Sequence, residues 1–208
     1  MSDVARHRRR ILLAMWVLAG LVGVGALVAW QLRRSAPTGI LAEEPLFAVP
    51  DFELVDQDGR PFTRNDMRGH AWIVAFIFTR CAGPCPTMTA KMVEHQAALS
   101  DPRVKLLSIS VDPEYDTPEV LRRYAQEHGA QAGRWVFLTG PKAQVLRAAA
   151  GFRTSVLPGR DPSHAIQHGT HLMLVDRNLQ VRGAYGVTSE EAQARLRTDA
   201  AALGAEGG

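Results

Sequence analysis

Cys81 and Cys85 are the only two cysteines in 208 residues, and three residues separate them in "FTRCAGPCPTM". A bridge across so short a gap is a poor staple, because the entropic benefit of a disulfide grows with the loop it closes. The pair therefore reads as reactive chemistry: a redox dithiol, or two of the ligands of a soft metal ion. Thiolate is the working form in both cases. The motif lies where an apolar strand pattern ends and a helix begins. There the positive end of the helix dipole and unpaired N–H groups are expected to lower the thiol pKa. Arg80, if it folds over the site, adds to that effect. Thioredoxin-type redox motifs have two intervening residues rather than three. At i and i+4 on a first helical turn, two sulfurs share a face and can bridge or grip one ion. Cu(I) accepts two thiolates and commonly an imidazole, so the histidines decide what the pair can be.

There are seven. His7 precedes a long apolar run and lies apart from the motif. His70, His95 and His128 fall in a loop or on helices and read as surface or helix-stripe residues. In "SHAIQHGTHLML", His164 reads as a loop residue, and His171 begins a strand as a core or edge histidine. His168 precedes Gly169 in the loop leading into that strand, from which a side chain can lean over a neighbouring loop. From the residues alone it is a candidate ligand and no more.

The elements that must position these groups are readable from periodicity. "DFELVDQDGRPFT" predicts a hairpin, with Phe52 and Leu54 alternating before an Asp-Gly turn. "AWIVAFIFT" and "VKLLSISV" are apolar and β-rich, as expected of strands buried on both faces. Pro86 suits the first turn of a helix after the cysteines, and Met88, Met92, His95 and Leu99 then form one helical stripe. The two methionines would suit a copper-handling surface, but four residues apart on an amphipathic helix they read first as core. "DTPEVLRRYAQEHG" predicts a helix capped by Asp116 or Thr117. "RWVFLTG" and "PKAQVLRAAAG" add a strand and a helix. "THLMLVD" and "QVRGAYG" read as strands, and "TSEEAQARLRTDAAAL" as a closing helix capped at Thr188 or Ser189. This order predicts an α/β sandwich around a mixed sheet.

Ile11 to Leu32 is a run of 22 residues without a charge, long enough as a helix to cross a hydrocarbon core of about 30 Å. The run exceeds the apolar region of a signal peptide and ends in no Ala-x-Ala site, so it predicts an uncleaved transmembrane anchor. Arg6, Arg8, Arg9 and Arg10 precede it, against Arg33 and Arg34 after it. This orients residues 1–10 to the cytoplasm and everything beyond the span to the periplasmic or other extracytoplasmic side. Residues 33–45 read as a linker, 46–203 as one domain and 204–208 as a disordered tail. Six of the 24 basic residues and one of the 21 acidic ones lie in positions 1–34, which leaves 18 basic against 20 acidic residues beyond. The basicity belongs to the anchor, and no nucleic-acid partner is indicated. An exported domain meets an oxidising compartment.

Together these stretches resemble the Sco/SenC family of membrane-tethered, thioredoxin-like copper proteins. "FTRCAGPCPTM" resembles its Cys-x₃-Cys-Pro motif, "SVDPEYDTPEVLRRYA" its strand-to-helix segment, and "HGTHLMLVD" the segment carrying its histidine ligand. The resemblance implies a thioredoxin-like fold and Cys81, Cys85 and His168 as ligands for Cu(I), with Cu(II) also held. It further implies delivery of copper to the dinuclear copper centre in subunit II of cytochrome c oxidase, or upkeep of that subunit's cysteines in the reduced state. Two departures stand out. Ala82 replaces the usual proline, and Gln167-His168-Gly169 replaces Asp-His-Ser, removing a carboxylate that could orient the ring. Asp112 matches the family's "DP" aspartate and reads first as a turn and cap residue, and only second as an influence on the site.

Two functions therefore compete: a copper carrier using Cys81, Cys85 and His168, and a thiol-disulfide reductase in which Cys81 and Cys85 act as the catalytic dithiol. The reductase requires a periplasmic thiol reductant, and the two share the need for reduced sulfurs. His168 discriminates, since thiol exchange needs no third ligand. A peroxidase of related fold is a weaker third, lacking a recognisable peroxide-binding Thr and Arg.

Overall fold

Ala71–Ile77 is buried at every position, which places this strand at the middle of the molecule with both faces covered. The computed structural model describes residues 15, 16, 20, 23, 44–81, 83–158 and 166–206. In chain order its elements are β1 (Phe47–Ala48), β2 (Glu53–Asp56), β3 (Pro61–Thr63), a 3-10 turn (Arg64–Met67), β4 (Ala71–Ile77), α1 (Cys85–Ala98) and β5 (Val104–Ser110). There follow α2 (Pro118–Glu127), β6 (Trp135–Thr139), α3 (Lys142–Gly151), β7 (Val156–Pro158), β8 (Ile166–His168), β9 (His171–Val175), β10 (Gln180–Gly186) and α4 (Glu190–Ala205).

Eight strands form a mixed sheet in the order β1-β10-β9-β4-β5-β6-β2-β3. β4 runs parallel to β5, and β5 to β6. β9 adds antiparallel to the other edge of β4, with Ile73 opposite Leu174. Parallel neighbours require crossovers, and α1 and α2 supply them. α1 and α4 pack on β4 and on each other, whereas α2 lies on β6 and α3 on β2. The core includes Trp72, Trp135, Phe76, Phe137 and Phe152, together with Met88 and Met92 of α1. This is a thioredoxin-like α/β fold, as the sequence predicts.

Local chemistry explains the boundaries. In the β2–β3 hairpin, the Asp56 carboxylate accepts the Asp58 and Arg60 N–H groups, and Gly59 takes φ +77°, which only glycine adopts cheaply. α2 is capped by Thr117, whose hydroxyl accepts the Val120 N–H at 3.3 Å. Asp116 is turned inward instead. Ser189 caps α4 through the Ala192 N–H at 3.1 Å.

Three features differ from the sequence reading. β1 pairs with β10, and β7 pairs with β8 as a separate hairpin, so His168 ends a strand rather than lying in a loop. Strands of two or three residues are too short for a period to show. α4 also continues through Gly204 and Ala205, which had been assigned to the tail. Gly204 is buried, and a Cβ there would meet the Val104 side chain at 2.8 Å, so close packing on β5 sustains the last turn. The predicted span 11–32 lies outside the described residues except for Met15, Trp16, Gly20 and Gly23, which are helical. Among the described residues no helix is long and apolar enough to cross a membrane.

Candidate metal centre

β4 ends at Ile77 and α1 begins at Cys85, so Cys81 sits on irregular backbone and Cys85 on the first residue of a helix. Pro86 occupies the first turn, where its missing N–H leaves no gap in the ladder. Cys85 is 1% exposed, and Cys81 is partly exposed. The Gly83 N–H donates to the Cys81 sulfur at 3.3 Å. Both cysteines are free thiols.

His168 comes to them from the end of β8. Its Nδ1 lies 3.0 Å from the Gly169 carbonyl, which can only accept a hydrogen bond, so Nδ1 carries the hydrogen and Nε2 is left with its lone pair as the acceptor. Nε2 lies 3.0 Å from the Cys85 sulfur. The Phe78 ring meets the imidazole edge-on at a centroid distance of 5.7 Å. The two sulfurs and a ring nitrogen lie within 4.8 Å of one another. A backbone carbonyl therefore orients the ring in a chain that has Gln167 where the family pattern has an aspartate.

Burial pushes the Cys85 thiol well above its usual range, with the hydrogen bond to Cys81 acting in the same direction. This overturns the expected lowering by the helix N-terminus. For Cys85, desolvation of a thiolate costs more than the dipole returns. Burial also lowers the His168 pKa, which keeps the imidazole neutral and able to act as a ligand. Arg80 does not add to the site. Its Nε donates to Asp112 at 2.7 Å, and its guanidinium lies over the Tyr115 ring at 4.7 Å. The Asp112 carbonyl accepts the Tyr115 and Asp116 N–H groups, so this residue does shape the turn, although Thr117 is the cap.

The other described histidines stay apart from the site. His70 and His128 bond backbone carbonyls of their own segments. His171 is exposed at the start of β9, and His164 lies outside the described residues. His95 is buried, with Nε2 2.8 Å from the Gln193 side-chain oxygen. Gln193 donates its amide to the Gly186 carbonyl, so its oxygen faces His95 and Nε2 carries the hydrogen. The other nitrogen, Nδ1, is buried without a partner, and burial lowers this pKa below 6.5. The unfolded chain therefore binds a proton that the folded chain refuses. The resulting stability is complete above about pH 6.5 and is lost as pH falls toward the folded value. Thermal unfolding of the metal-free chain should show a midpoint that drops from pH 7 to pH 5.5, and His95→Gln should shallow that drop. An unchanged slope would contradict this assignment.

Two soft sulfurs and one neutral imidazole suit a soft ion, because such donors select Cu(I) over harder cations. Binding must displace the thiol protons. The ring's fixed tautomer is the arrangement that ligating histidines generally show.

Residues 42–202 match the family model described as SCO1/SenC. An SCO2-like protein of Rickettsia prowazekii is 30% identical over 174 residues, covering 78% of this chain and 83% of that protein. The solved structure of BsSco, a member of the Sco family of cytochrome c oxidase assembly proteins studied for a disulfide switch, superimposes with a TM-score of 0.68. It is 27% identical and covers 79% of this chain and 98% of that one. Yeast Sco1 with copper bound gives a TM-score of 0.62 at 26% identity, over 74% of this chain and 87% of the yeast chain.

Proposed function

This chain belongs to the SCO1/SenC family, and we propose that it carries copper to the dinuclear copper centre of cytochrome c oxidase subunit II. The observation that carries this reading is the convergence of Cys81, Cys85 and His168 donors within 4.8 Å of one another. Copper is the cargo, held as Cu(I) by the two sulfurs and Nε2, with Cu(II) accepted by the same set. Yeast Sco1 with copper bound supports the metal, and the description of BsSco supports the assembly role. Residues 11–32 anchor the chain, with residues 1–10 in the cytoplasm and the copper domain on the extracytoplasmic face beside its acceptor.

The exposures of the donors favour one order of transfer. Cys85 is shut in, and Cys81 is partly open. An acceptor thiolate therefore approaches on the Cys81 side and displaces that ligand first, and the copper leaves as further acceptor ligands replace Cys85 and His168. A proton returns to each thiolate released.

The same difference in exposure favours a second reading, a thiol-disulfide reductase. Cys81 thiolate would attack a target disulfide, forming a mixed disulfide and freeing one target thiolate. Cys85 would then attack the Cys81 sulfur, freeing the second target thiol and leaving a Cys81–Cys85 disulfide. A periplasmic thiol reductant would return the two electrons.

Anaerobic titration of the reduced full-length chain with Cu(I) against a competing chelator tests the choice. One tight equivalent is expected. Absence of binding, with brisk reduction of a small disulfide, would replace the carrier by the reductase.

A further inference from the structure

Of the three donors, Cys81 alone is not held by a regular element, and the segment "SVDPEYD" reaches under the turn that carries it. We propose that Asp116, by gripping Thr79, is the positioning residue that fixes Cys81 relative to Cys85 and His168. The proposal rests on the copper reading and deepens it.

Asp116 is fully buried. Its Oδ2 accepts the Thr79 N–H at 3.1 Å, and its Oδ1 accepts the Thr79 hydroxyl at 2.5 Å. Both oxygens thus bond one residue, two positions before Cys81. The Ser110 hydroxyl donates to the same Oδ2 at 2.5 Å and accepts the Asp112 N–H at 3.1 Å. The gripping loop is itself fixed. The Val111 N–H donates to the Ile77 carbonyl at 2.8 Å, extending the β4–β5 ladder, and the Asp112 carbonyl accepts the Asp116 N–H at 2.9 Å. One residue further along, Asp112 holds Arg80 at 2.7 Å. Arg80 is half exposed, so solvent weakens that pair, and the buried grip on Thr79 dominates.

Cys81 itself has little else. Its N–H reaches the Phe78 carbonyl at 3.3 Å, and its sulfur accepts from Gly83 at a similar distance and meets the Cys85 thiol. By contrast, helix α1 fixes Cys85, and the Gly169 carbonyl and the Phe78 ring fix His168. Outer groups that orient a metal ligand typically govern about 10–100-fold in affinity. A carboxylate with three donors is suited to that task, since it cannot release one without leaving a buried polar group unpaired.

The experiment is Cu(I) titration of the full-length chain and its variants against a chelator, with the thermal midpoint of each metal-free protein alongside. Thr79→Val and Asp116→Asn are expected to lower Cu(I) affinity about tenfold or more, and Thr79→Ser, which keeps the hydroxyl, should stay within about twofold of the parent. Asp199→Asn is the control. That carboxylate is equally buried and accepts the Tyr185 hydroxyl at 2.6 Å, so its loss should lower the midpoint and spare copper affinity. If Asp116→Asn does not fold, the Thr79 pair still decides. Thr79→Val binding copper as tightly as Thr79→Ser would overturn the proposal, as would an equal loss of affinity in Asp199→Asn. A parent chain that binds no Cu(I) would overturn the copper reading, and the clamp with it.

Discussion

Cys85→Ala should abolish tight Cu(I) binding in a titration that still shows a folded chain. Cys81→Ala should do the same, and His168→Ala should weaken binding at least about tenfold, a loss of roughly 1.4 kcal/mol. The ranking follows from what each donor supplies. Structural zinc in zinc-finger peptides binds with an apparent 10–16 kcal/mol shared among its ligands, so on that scale one lost anionic ligand removes several kcal/mol, about a hundredfold or more. The neutral imidazole contributes less, and its place can be taken by water or a small thiol. Cys85→Ala also exposes nothing new, because the residue is 1% exposed and packs within the core. Reduction of a small disulfide separates the readings further. The reaction needs Cys81 and Cys85 but not the ring, so His168→Ala should retain it. Copper affinity unchanged in His168→Ala would remove the third ligand from the carrier mechanism.

How much of this was legible depended on where the controlling interaction lay. β4 and β5 were readable because burial on both faces demands an uninterrupted apolar run, which "AWIVAFI" displays without context. The β2–β3 turn was readable because Asp56 and Gly59 solve a local backbone problem. β1, β7 and β8 were not, since two or three residues carry no period, and the partner of β1, β10, lies near the other end of the chain. The cysteine pair announced itself by spacing. His168, however, was one of seven histidines: its place before Gly169 made it a candidate, and the resemblance to a family made it the expected ligand. The direction of the Cys85 shift was misread for the same reason. A helix N-terminus is visible in a sequence, but the packing that desolvates the sulfur is not. Arg80 looked like a cation beside a thiol until Asp112, thirty-two positions on, claimed it. Asp116 looked like a helix cap because local rules offer it that role. Its bond to Thr79 joins the segments that follow two neighbouring strands, β4 and β5, and could be seen only in three dimensions.

The methionines are the sharpest case of a functional look with a structural cause. Met88 and Met92 lie on the helix that carries Cys85, and the copper site proposed there invites a thioether role. Both side chains are fully buried in the core, where Met serves as an adaptable filler. Met92→Ala should therefore destabilise the chain by about 2–5 kcal/mol, the usual cost of the lost transfer energy plus a cavity that neighbours only partly refill. Met92→Leu, nearly conserving volume, should cost under about 1.5 kcal/mol. Denaturant unfolding measures both differences. Neither variant should move Cu(I) affinity at temperatures where it is folded, because the donor set of Cys81, Cys85 and His168 is complete without sulfur from the stripe. A fall in copper affinity in Met92→Leu, with stability intact, would make this methionine a functional residue after all. The opposite pattern, stability lost in Met92→Ala and copper binding kept, ties α1 to its two duties. Its buried stripe holds the helix on β4, and that packing is what brings Cys85 to the place where Cys81 and His168 meet it.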